Sequence, residues 1–271
     1  ILFRLVGSEM CIRDRDRLAD LGIGHVFGVP GDYSFPINDA VEVHSRLSWV
    51  PSANELNAAY AADGYARRRG AAMVCTTYGV GELSALNGLM GAMAERLPVF
   101  HLVGTPSLRI VRQGLICHHT LGDRVYDRFE AISASASCVS ARLTPDNVVV
   151  ELERVIDKAL EESMPAYLTF PMDLALMPIT GTPIQGSPLG AIHQHASVEA
   201  ELEAVLDLLE KRIASASRPV VLPTITLKRF GLVKAFEHFL NASGLAYATT
   251  PMDKGLLNEE HPAFLLSLIH I

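Results

Sequence analysis

Two carboxylates and a pair of adjacent imidazoles are the side chains best placed to do chemistry. Asp32 sits in Gly28-Val29-Pro30-Gly31-Asp32-Tyr33, whose glycines allow a sharp turn and a close backbone approach to a ligand. The same stretch would also suit a plain helix start capped by Asp32 or Ser34. Glu55 stands in Asn54-Glu55-Leu56-Asn57. The helix dipole favours a glutamate in a first turn, yet the same carboxylate aimed into a cleft would make a useful proton partner. Thr76-Thr77-Tyr78-Gly79-Val80-Gly81-Glu82 reads as a strand entering a glycine turn, where a ligand can press against backbone. His118 and His119 follow in Cys117-His118-His119-Thr120-Leu121-Gly122. Adjacent residues of an extended chain point to different sides, which suits convergent metal ligation poorly. Imidazoles near neutral pH suit general acid–base work, and two exposed loop histidines are the plainer alternative. Neither GxGxxG nor GxxxxGK occurs, so none of these turns is a phosphate loop.

Such residues need elements to position them. Short apolar runs predict strands over 25–29, 47–50, 72–77, 98–103, 136–141 and 166–170. Ser137 and Ser140 make the fifth the weakest of these. Helical patterns lie between the runs, over 35–44, 55–69, 82–96 and 145–163. Alternating strands and helices imply an α/β fold: an open, mostly parallel six-stranded sheet with helices on both faces. In such a sheet ligands bind at the carboxyl ends of the strands, where all four clusters fall.

Residues 16–173 therefore read as one domain. The proline- and glycine-bearing stretch 174–197 reads as a linker, and 198–264 as a second α/β domain, truncated after two strands, at 219–222 and 245–249. Residues 1–15 and 265–271 resemble translated adapter sequence, so both ends are set aside as non-native. With 49% hydrophobic residues the chain can build a sizeable core, and a net charge of −7 disfavours nucleic acid and anionic membrane as partners. No run of apolar residues is long enough for a membrane span. Cys11, Cys75, Cys117 and Cys138 form no CxxC pair, which fits reduced thiols in a cytoplasmic protein.

In this order the clusters resemble the pyrimidine-binding domain of thiamine-diphosphate enzymes, specifically the pyruvate and indolepyruvate decarboxylase family. That family carries a GxxGD turn, an NELN segment, a TTYGVGELSA-like turn and an HH pair. Here these are 28–32, 54–57, 76–85 and His118-His119, and the segment AAYAADGYAR at 58–67 also matches. The resemblance spans roughly residues 16–264. It implies a non-oxidative 2-keto acid decarboxylase acting through the ylid of thiamine diphosphate and giving aldehyde and carbon dioxide. Glu55 would bond the cofactor's aminopyrimidine and activate it. Asp32, His118 and His119 would be the acid–base residues. Pro30, Thr77 and Gly81 would line the pyrimidine pocket.

The family holds Mg²⁺ and the diphosphate through a later domain with a GDG…NN motif. No GDG occurs here, so no metal ligand is assigned in this chain, and the chain alone is expected to be inactive. The family's sites form between subunits, which implies a homodimer or homotetramer. The substrate is expected to be pyruvate, indolepyruvate or phenylpyruvate. Two alternatives share the fold: a stand-alone pyrimidine-domain subunit of a split enzyme, and an acetohydroxyacid-synthase-like carboligase. The HH pair disfavours the second.

Overall fold

The structure is a computed structural model and describes residues 17–177 and 198–267. They fall in two compact units, one before and one after the boundary at Ile192 and His193. The expected leader 1–15 and most of the expected linker, 178–197, lie outside the described residues.

The first unit is built on six parallel strands: β1 His25–Gly28, β2 Ser48–Pro51, β3 Ala72–Thr77, β4 Val99–Thr105, β5 Val139–Arg142 and β6 Ala166–Pro171. Their order is β2-β1-β3-β4-β6-β5. Strand alternation explains why helices cover both faces. Met73 and Cys75 join one apolar cluster, with Phe100 of β4, while Ala72 and Val74 join the other with Val99. The first cluster takes Ile37 and Val41 of α1 (Phe35–Glu42) and Leu152, Val155 and Ile156 of α6 (Val148–Glu162). The second takes Ala58, Ala59 and Ala62 of α2 (Glu55–Arg69) and Ala85 and Leu89 of α3 (Val80–Ala94). Strands β3 and β6 are buried along their whole length, as unbroken apolar runs require in a doubly covered sheet. Edge strand β5 instead alternates buried and exposed, and Ser140 points to solvent. It starts later than its sequence suggests because residues Ala134–Ala136 coil into a 3-10 turn. Leu174 and Ala175, in the 3-10 turn Met172–Leu176 after β6, are buried in the first cluster.

Two short helices were not legible as helices: α4 (Leu108–Gln113) and α5 (Arg128–Ser133). Neither buries an apolar side chain, so neither carries a periodic signal.

The second unit contains α7 (Glu199–Ser215), β7 (Val220–Val221), α8 (Thr226–Arg229), α9 (Val233–Ser243), β8 (Ala246–Thr249) and β9 (Phe264–Ser267). Its sheet has three parallel strands in the order β7-β8-β9, which corrects the expectation of two. All of the third strand but Phe264 falls in residues set aside as a non-native tail. Gly231, whose φ is +69°, separates α8 from α9. Leu240, Tyr247, Leu256 and Leu257 form a small core.

Candidate active site

The chain leaves β1 for β2 on one side and returns to β3 on the other. The loops after β1 and β3 therefore part, and the crevice between them at the carboxyl edge is where such sheets bind ligands. Every predicted site residue follows a strand on that edge. Pro30 and Asp32 follow β1, Glu55 follows β2, Thr77 ends β3 with Gly81 beyond it, and His118 and His119 lie in the loop after β4.

Asp32, His118 and His119 converge. Their ligand-type atoms all lie within 4.8 Å of one another, and His118 Nε2 stands 2.6 Å from Asp32 Oδ2. The sequence suggested that the two histidines diverge. That expectation fails because the chain is not extended there: His119 has φ +58°, a left-handed conformation that folds its ring edge-on against His118 at 4.6 Å. Tyr33, overlooked as a site residue, holds the loop from below. Its ring stacks on His118 at 4.8 Å, and its hydroxyl donates to the His118 carbonyl at 3.2 Å and lies 3.3 Å from His118 Nδ1. Burial and the neighbouring Cys117 push the Tyr33 phenol well above its ordinary value, so it stays a neutral partner. His118 Nε2 thus faces Asp32 and its Nδ1 faces the Tyr33 hydroxyl. The set is built to hold and pass a proton.

A second arrangement surrounds Glu55. Asn54 caps α2, its Oδ1 accepting the Asn57 N–H at 2.9 Å, and this places Glu55 in the first helical turn. Glycines make room around it. A methyl group added at Gly81 would stand 3.1 Å from Glu55 Oε1 and 3.0 Å from Thr77 Cγ2, and one at Gly31 would stand 2.5 Å from Thr77 Cβ. Glu55, Thr77, Gly81 and Gly31 therefore pack together, while Pro30 beside them is exposed.

Residues 15–131, which contain both arrangements, match the family described as thiamine pyrophosphate enzyme, N-terminal TPP binding domain. Over these residues the chain is similar to the thiamine-diphosphate enzymes. An alpha-keto-acid decarboxylase of Mycobacterium leprae is 40% identical over 250 residues, covering 92% of this chain and 43% of the relative. A pyruvate decarboxylase of Aspergillus parasiticus is 40% identical over 251 residues, covering 91% of this chain and 42% of the relative. The chain thus spans less than half the length of these relatives. A solved structure from Mycobacterium smegmatis, assigned to the thiamin diphosphate-dependent enzymes, shares the fold. Its TM-score is 0.77 at 20% identity, covering 96% of this chain and 48% of that one.

The residues present fit the aminopyrimidine end of thiamine diphosphate. Among the described residues the Glu55 carboxylate has no hydrogen-bond partner. Thr77 Oγ1 and His119 Nδ1 are buried without a partner. Buried polar atoms are seldom left unpaired, and a ligand rich in nitrogen donors and acceptors answers that need.

Proposed function

We propose that this chain forms the pyrimidine-binding wall of a 2-keto acid decarboxylase that releases an aldehyde and carbon dioxide. One observation carries the reading: Glu55, whose carboxylate has no hydrogen-bond partner among the described residues, shares the carboxyl edge of the sheet with the set Asp32, His118 and His119. Thiamine diphosphate, when bound, supplies the nucleophile and the electron sink. Glu55 bonds the aminopyrimidine and fixes its tautomer. Gly81 and Gly31 leave space for the ring, Thr77 offers its hydroxyl, and Pro30 borders the turn. Asp32 orients His118 and stabilises it when protonated, so the pair can return a proton to the reacting carbon and take one up during aldehyde release.

The diphosphate and Mg²⁺ are proposed to be held by the part of the relatives' length that this chain does not span. The 271-residue chain alone is then inactive. Sites shared between copies make the working protein a homodimer or homotetramer, with pyruvate or an aromatic 2-keto acid as substrate and a cytoplasmic setting. Among the described residues no helix is long and apolar enough to cross a membrane.

The test is carbon dioxide release by the full-length protein from pyruvate, indolepyruvate and phenylpyruvate, with and without thiamine diphosphate and Mg²⁺. Glu55→Gln should lower kcat by about 10²-fold or more. Cofactor-independent release, or an unimpaired Glu55→Gln variant, would overturn the reading.

A further inference from the structure

Glu82 is the most thoroughly bonded buried carboxylate among the described residues, and the chemistry above does not use it. It lies in the first turn of α3 and is fully inaccessible. Its Oε1 accepts the Gly79 N–H at 2.8 Å, while Oε2 accepts the Ser133 hydroxyl at 2.8 Å and the Tyr167 hydroxyl at 2.6 Å. One carboxylate therefore ties the glycine turn to two other elements, α5 and β6. Burial pushes the Glu82 carboxyl up, and the bonds from Tyr167, Gly79 and Ser133 pull it back down.

The turn it holds touches both halves of the site. Gly79 has φ +70°, and a methyl group there would stand 2.8 Å from the His119 carbonyl, so the His119 backbone rests on it. Two residues on, Gly81 abuts Glu55 and Thr77. Tyr78, just before the turn, meets Tyr33 edge-on at 6.0 Å, and Tyr33 carries His118. Behind the turn, Tyr167 packs edge-on against His101 at 5.6 Å, and His101 Nε2 lies 2.9 Å from Thr76 Oγ1, beside Thr77. The buried network thus returns to the pocket it started from.

We propose that Glu82 is a positioning residue that locks the 79–81 turn and so sets the distance between the Glu55 pocket and the His118-His119 loop. The proposal rests on the thiamine-diphosphate reading of that pocket. Without Glu82 the buried Gly79 N–H has no partner, and the turn must move to find one.

The experiment follows amide hydrogen exchange at Gly79, Gly81 and His119 in the full-length protein, alongside thiamine diphosphate affinity by calorimetry and the melting temperature. Glu82→Ala should speed exchange at all three amides by about tenfold or more, the effect of losing roughly one buried hydrogen bond. Its cofactor Kd should rise by a similar factor. Glu82→Gln, which keeps an acceptor for Gly79, should restore most of both. Should Glu82→Ala not fold, Tyr167→Phe and Ser133→Ala each remove one donor and should still raise exchange at the turn. A lower melting temperature with unchanged exchange and unchanged Kd would overturn the proposal and leave Glu82 a packing residue. The two ideas separate cleanly. Wild-type protein that fails to bind thiamine diphosphate sinks the functional reading, while the exchange rates judge Glu82 on their own.

Discussion

The Asp32–His118 contact is short but open to water, with the two side chains 42% and 57% exposed. Ion pairs in that setting contribute only about 0–1 kcal/mol to stability. Asp32→Asn should therefore leave the melting temperature within about 2 °C of wild type, since a 1 kcal/mol change shifts a domain of this size by only a few degrees. Its kcat should nevertheless fall by about 10²-fold, because the imidazole loses its orienting carboxylate. Equal losses of stability and activity would make the pair structural. Residue types singled out Asp32, Glu55, His118 and His119 as candidates, each ionisable and beside a turn, and the resemblance supplied their roles. They were not enough to mark Tyr33, whose hydroxyl reaches His118 across 85 residues of sequence. Nor could they show that His119 turns left-handed and brings both rings to one side.

Elements matter because the site residues sit at their ends: Glu55 opens α2, and Gly81 lies in the first turn of α3. The spacing of those helices is set by small residues. A methyl group at Gly88 of α3 would stand 2.6 Å from Ala59 Cβ and 3.0 Å from the Ala59 carbonyl carbon of α2. Backbone cannot give way as a flexible side chain can. Gly88→Ala should therefore prise the helices apart and destabilise the fold by about 1–3 kcal/mol, a fall of roughly 2–12 °C in thermal melts. An unchanged melt would mean that α2 and α3 separate freely at this point. Helix α2 was readable to the residue, because Asn54 caps its start and Gly70, with φ +94°, ends it. By contrast α4 and α5, which flank the histidine loop, left no trace in the sequence pattern. Although Ser107 caps α4 and Gly114 ends it, six-residue helices lying on the surface have no apolar stripe to announce them.

At the scale of the whole molecule, the parallel sheet was legible because buried strands must be apolar throughout, whereas its polar interior was not. Apolar runs say nothing of His101, which lies in mid-strand β4 and is almost wholly inaccessible. Burial pushes this imidazole from 6.5 down to about 3, so it is neutral in the folded protein. Its Nε2 meets Thr76 Oγ1, and its Nδ1 has no partner to receive a new charge. In the unfolded chain the same side chain takes up a proton near its ordinary value. Between these two values the unfolded state binds more protons, so stability must fall as pH drops from about 6.5 toward 3. Glu82 acts with the opposite sign. Its carboxyl is raised, so its contribution is present below the ordinary carboxylate value and fades as pH climbs through the folded one. His101 should accordingly add up to one proton, or about 1.4 kcal/mol per pH unit, to the acid slope of stability. Urea denaturation of wild type and His101→Gln at pH 6.5, 5.5 and 4.5 measures that slope. The variant's curve should be flatter by a sizeable part of one proton. Parallel curves would mean that His101 is reached by water and protonated in place, and the polar layer beneath the site would then be open rather than sealed.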